Sequence, residues 1–135
     1  MTIELRNLKG TYDFMPREQR VRQEIIRKLQ VIFEKYGYQP IETPIICYFG
    51  VLASKYAGGA ESLKEVYKLD DQGGRELGLR YDLTVPFARL VGMNPEIRMP
   101  FKRYEIGKVY RDGPVKTGRN REFVQCDVDM VGVKS

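Results

Sequence analysis

Apolar residues recur at helical spacing early in the chain. Val21, Ile25, Leu29, Ile32, Phe33 and Tyr36 alternate with arginines, lysines and glutamates, which predicts an amphipathic helix. Asp13 and Pro16 precede it, and Gly37 follows directly as a stop signal. Tyr38 to Pro44 then reads as extended, and its two prolines confine it to a sheet edge or an interface. Tyr48 to Tyr56 predicts a short helix, and Gly58-Gly59 a break. Val66 to Leu69 and Leu77 to Arg80 bracket Asp70-Asp71-Gln72-Gly73-Gly74, which is hairpin chemistry. Thr84 as N-cap and Pro86 near the first helical position predict a helix to about Gly92. After the Asn94-Pro95 loop, a long hairpin starts near Met99.

The second strand of that hairpin carries most of the information. Val124, Cys126, Val128 and Met130 fall on one face, and Phe123, Gln125, Asp127 and Asp129 on the other. The first face reads as core. The second is a polar row beside Arg111, either simply wet or holding a polar ligand. The order helix, extended segment, helix, hairpin, helix, hairpin argues for an α+β domain, an antiparallel sheet flanked by helices. No internal repeat, linker or domain boundary interrupts it. The ending at Val133-Lys134-Ser135, directly after a strand, suggests a cut fragment.

At 135 residues the chain supports one domain with a modest core, and 42% apolar with 30% charged residues is ordinary for a soluble domain. No apolar run approaches a membrane span, and the N-terminus lacks a signal peptide's apolar stretch, which points to the cytoplasm. Cys47 and Cys126 have no metal-type spacing, and that compartment disfavours a disulfide; core packing suits Cys126. With no histidine present, a His-based dyad or a His-ligated metal is excluded within these residues. The net charge of +5 permits a polyanionic partner, and serves solubility equally well.

Asp82, Thr84, Gln125 and Asp129 are each ordinary alone: a helix-start charge, a cap and a solvated strand face. Together, two carboxylates, an amide and a hydroxyl are what grips a protonated amine. Arg111 suits either a strand-end salt bridge or a clamp on carboxylate or phosphate. The loop after it holds Lys116, Gly118 and Arg119, a basic, flexible stretch of the kind that closes on phosphates or an RNA end. Phe123 suits base stacking or plain packing. Neither a Walker loop nor a GxGxxG stretch is present.

Leu79-Arg80-Tyr81-Asp82-Leu83-Thr84-Val85-Pro86-Phe87-Ala88-Arg89 closely resembles a signature of histidyl-tRNA synthetases. So does Tyr110-Arg111-Asp112 through Gly118-Arg119 to Gln125-Cys126-Asp127-Val128-Asp129, and Gly10-Thr11-Tyr12-Asp13-Phe14-Met15-Pro16 resembles the start of that catalytic domain. The resemblance spans essentially the whole chain. It implies a partial class II aminoacyl-tRNA synthetase catalytic core, with motif 1 over about 16–44 forming a homodimer interface and motif 2 over about 104–132. Motif 3, the histidine-specific arginine segment and the anticodon-binding domain would lie outside these residues. The implied reaction joins histidine to ATP, giving histidyl-adenylate, and then transfers histidine to tRNA(His).

By the same resemblance, Asp82, Thr84, Gln125 and Asp129 would bind histidine. Arg111 would bridge the histidine carboxylate and the α-phosphate as the catalytic residue, Arg119 would reach the terminal phosphates, and Phe123 would stack on adenine. Mg2+ would accompany ATP, and no residue is assigned as a metal ligand. The family usually has an acidic residue two positions after the motif 2 arginine. Here Gly113 stands there, so the expectation moves to Asp112 for the adenine amino group. Two other classes compete: the non-catalytic, synthetase-like regulatory subunit of ATP phosphoribosyltransferase, and a generic basic RNA-binding domain.

Overall fold

The structure, a computed structural model, describes residues 1–54 and 61–134. Helix α1 (Pro16–Lys35) starts with proline at its first turn, where the missing N–H costs no hydrogen bond. It stops at Gly37, whose φ of 82° is open to glycine without strain. Strand β1 (Gln39–Pro40) lies parallel to β5 (Phe101–Tyr110), at one edge of the sheet β1-β5-β6, where a proline without an N–H is tolerated. A second sheet, β2-β4-β3, joins β2 (Ile46–Tyr48) and the hairpin β3 (Lys68–Asp70) and β4 (Glu76–Leu79), all antiparallel. The periodicity did not reveal β2, which is too short to show alternation. Helix α2 spans Phe49–Ala53. The rest of the helix expected to Tyr56, and the break at Gly58-Gly59, lie outside the described residues. A 3-10 turn (Glu61–Glu65) leads into β3, and α3 (Thr84–Met93) leads to the long hairpin of β5 and β6 (Glu122–Val131).

The α+β expectation holds, but among the described residues the strands form two three-stranded sheets rather than one, and β1 pairs parallel to β5. The core gathers Leu52, Val66, Tyr81 and Val85 between α2, β4 and α3. Among the described residues, no helix is long and apolar enough to cross a membrane.

Two expectations are corrected. First, Val128 is 36% exposed, Met130 41% exposed, and Cys126 exposed as well, so the apolar face of β6 is not core. Helix α1 follows β5, through Phe33 against Tyr104 (centroids 5.3 Å apart) and the Tyr104 hydroxyl, which donates to Glu34 Oε1 at 2.7 Å. Its Gln19, Arg22 and Ile26 share a cleft with the start of β6 at Glu122 to Val124, leaving Cys126, Val128 and Met130 exposed. Strand β6 is the sheet edge beyond that contact. The polar face is instead the covered one, because the segment leading into α3 lies across it: Leu83 N–H donates to Gln125 Oε1 at 3.0 Å, and the Phe87 ring sits 4.0 Å from the Arg103 guanidinium. Second, Thr84 does not cap α3 but is its first residue; no side chain caps from Leu83, the N-cap position. The carboxylate of Asp82 takes that work, Oδ1 accepting the Val85 N–H at 3.1 Å.

Under α3 lies a buried ionic cluster. Arg80 Nη1 donates to the Thr43 carbonyl at 2.7 Å and meets Glu105 Oε2 at 3.3 Å, while Nε donates to the Lys108 carbonyl at 2.8 Å. Glu105 accepts from the Thr43 N–H at 2.8 Å and from its hydroxyl at 2.9 Å. Gly107 makes this possible: a Cβ there would begin 2.5 Å from Arg80 Nη2.

Burial, with help from the Glu34 hydrogen bond, pushes the Tyr104 hydroxyl up to about 12 from 10. The folded pKa lies above the unfolded one, so this stabilisation is complete below pH 10 and is lost as pH rises toward 12. Urea unfolding midpoints should therefore fall between pH 10 and about 12. Tyr104→Phe should flatten that decline; an equally steep decline in the variant would refute it.

Candidate active site

The register of the long hairpin sets the site. Val109 opposes Phe123, Gly107 opposes Gln125, Glu105 opposes Asp127 and Arg103 opposes Asp129, so these eight positions share the face under α3. At the open end of β5, Arg111 holds its place through backbone: its N–H donates to the Arg121 carbonyl at 2.9 Å, and Nε to the Tyr81 carbonyl at 3.3 Å. Its guanidinium lies 5.1 Å from the Phe123 ring centroid. The connecting loop folds back on itself, with Arg119 N–H donating to the Lys116 carbonyl at 2.8 Å and Gly118 at φ 76°. A cavity of about 300 Å³ opens between this loop and the hairpin. Arg111, Arg119 and Phe123 line it, with Gly113 and Glu65.

Toward α3, Gln125 Oε1 takes the Leu83 N–H, and Thr84 Oγ1 donates to Asp127 Oδ2 at 3.4 Å. Asp127 also pairs with the buried Arg103, Nη2 to Oδ2 at 2.7 Å. The structure thus joins Thr84 to Asp127 and Gln125 to the backbone beside Asp82. Asp129 shares their face, and its Oδ1 accepts the Met130 N–H at 2.8 Å. Asp112 is exposed and does not line the cavity, although its N–H donates to the Glu65 carbonyl at 2.7 Å.

Three residues were missed as candidates. Asp127 belongs to the polar row, but the family signature points to Asp129, and only the structure shows Asp127 joined to Thr84 and Arg103. Arg103 sits on the same alternating face, and only its burial shows that it anchors Asp127. Glu65 had no sequence signal, because the fold alone carries it to a loop about 50 residues away.

Two guanidinium groups and an aromatic ring around one cavity suit a polyanion attached to a flat ring. The adjoining amide, hydroxyl and carboxylates suit a small polar molecule with a cationic group. Arg111 stands where the two regions meet.

The sequence model for histidyl-tRNA synthetase matches residues 10–135. The chain is 60% identical over 133 residues to histidine–tRNA ligase 1 of Bacillus cereus, covering 98% of this chain and 31% of that protein. It thus spans about a third of the length of the curated relatives it matches. A histidyl-tRNA synthetase from Nostoc superposes with a TM-score of 0.82 at 30% identity, over 98% of this chain and 30% of that one. A Bacillus halodurans protein described as an ATP phosphoribosyltransferase regulatory subunit/histidyl-tRNA synthetase gives 0.83 at 26% identity, over 100% and 35%.

Proposed function

We propose, on the premise that the chain belongs to the histidyl-tRNA synthetase family, that it supplies the motif 1 and motif 2 part of the catalytic core of a histidine–tRNA ligase. The whole protein would activate histidine with ATP and pass it to tRNA(His) in the cytoplasm, as a homodimer assembled through motif 1. The carrying observation is the position of Arg111, shared between the basic, aromatic cavity and the polar row.

In this reading histidine lies along the polar row. Asp82, Thr84, Gln125 and Asp129 bind its ammonium and imidazole, with Asp127 steadying Thr84. ATP places its base on Phe123 and its terminal phosphates near Arg119. Arg111 holds the histidine carboxylate and the α-phosphate together and offsets the charge that develops at phosphorus during attack. Substrate positioning and fixed charge do the work, and no side chain becomes a covalent nucleophile. Magnesium would arrive on the ATP phosphates. Among the described residues no group of three or more His, Cys, Asp or Glu side chains is placed to hold it.

ATP–pyrophosphate exchange tests the proposal. The full-length protein carrying this chain should exchange with histidine and not with other amino acids. The 135 residues alone should not turn over, because they are 31% of the length of the ligase they match. A regulatory protein, the second reading suggested by the Bacillus halodurans description, would show no exchange at full length. That result would sink the ligase assignment.

A further inference from the structure

We propose that Glu65, on the 3-10 turn before β3, is the residue that selects adenine in the cavity beside Arg111; this rests on the ligase reading above. Glu65 is half-buried and lines the same cavity as Arg111, Arg119 and Phe123. Its carboxylate occupies the space next to Gly113: a Cβ at 113 would begin 2.8 Å from Oε1 and 3.0 Å from the carboxyl carbon. With no side chain at 113, the Glu65 carboxylate rests directly against the start of the loop. No hydrogen bond or ion pair among the described residues uses this carboxylate, although two guanidinium groups share its cavity.

An ionised carboxylate only accepts hydrogen bonds. It would repel phosphate, so it marks the base end of the cavity and leaves the arginines for the phosphates. The ring of Phe123 offers the base a face, and Glu65 an acceptor at its edge. Adenine presents an exocyclic amino group, a donor, at that edge. Guanine or hypoxanthine presents a carbonyl oxygen, which would meet the carboxylate lone pair to lone pair. Asp112 is exposed and outside the lining, so it is the weaker candidate for the same contact. The Glu65 carbonyl still receives the Asp112 N–H when the side chain is shortened, which keeps the loop anchored in a variant.

The test uses the full-length protein and the histidine-dependent exchange reaction, with ATP and with purine riboside 5′-triphosphate, which lacks the amino group. A hydrogen bond to a charged group is worth a factor of about ten or more, so the wild type should prefer ATP by about that ratio in kcat/KM. Glu65→Ala should bring the ratio to within about twofold, through KM for nucleotide, with KM for histidine unchanged. Glu65→Gln, which keeps an acceptor oxygen and the shape, should retain part of the preference. A Glu65→Ala enzyme that keeps the full preference overturns the proposal, as does a wild type without one. It is also overturned if Asp112→Ala erases the preference and Glu65→Ala does not. No exchange by the wild type with ATP overturns the ligase reading itself, and this assignment with it.

Discussion

Arg111→Ala in the full-length protein should lower histidine-dependent pyrophosphate exchange by about a hundred- to a thousandfold, the usual loss when one preorganised charge at a reacting centre is removed. The guanidinium is preorganised: its Nε is tied to the Tyr81 carbonyl at 3.3 Å, and its backbone N–H to the Arg121 carbonyl at 2.9 Å. The side chain therefore spends little entropy when substrates arrive. Because it touches both the acyl and the phosphoryl partner in the proposed complex, kcat should carry most of the fall and KM for histidine less. Arg111→Lys should recover only a small part, since an ammonium cannot make the planar two-pronged contact. A loss below about tenfold in the alanine variant would remove Arg111 from the catalytic role.

Glu105→Ala should be the most damaging single change to stability. Arg80 is 3% exposed and Glu105 2%, and the cluster spans the β1–β2 connection, the end of β4 and strand β5 through Thr43, Arg80 and the Lys108 carbonyl. Removing the carboxylate strands a buried guanidinium, which costs about 3–5 kcal/mol in comparable pairs. Urea unfolding of the chain should show the midpoint falling accordingly with the slope m unchanged. The double replacement Arg80→Met with Glu105→Leu should be less harmful than Glu105→Ala alone, because no unpaired charge then remains buried. If the single variant costs below about 1 kcal/mol, water or a neighbour satisfies Arg80 and the cluster is not a keystone of the fold.

Much of the fold was legible in local pattern. The helix from Pro16, the hairpin around Asp71, the helix from Thr84 and the long hairpin appear close to where periodicity and turn residues put them. Boundaries were weaker where side chain and backbone compete: Asp82, not Thr84, caps α3, since the carboxylate two residues earlier reaches the Val85 N–H. The candidate site divided in the same way. Arg111, Arg119, Phe123, Gln125 and Asp82 came from the signature stretches, and the hairpin register puts Phe123 and Gln125 on one face.

Periodicity of two along β6 decides which residues share a face, because alternate side chains must project on opposite sides of any strand. It does not decide which face is covered. That depended on α1 following β5 and leaving Cys126, Val128 and Met130 on the edge strand exposed, and on the residues from Arg80 to Phe87 lying over the polar row. Nor does any local pattern bring Glu65 beside Gly113, or Arg80 over Gly107. Residue types, their order and the family they belong to are properties of the chain. Burial of a charge, and the company a carboxylate keeps, depend on segments distant in sequence packing together, and only the tertiary structure decides them.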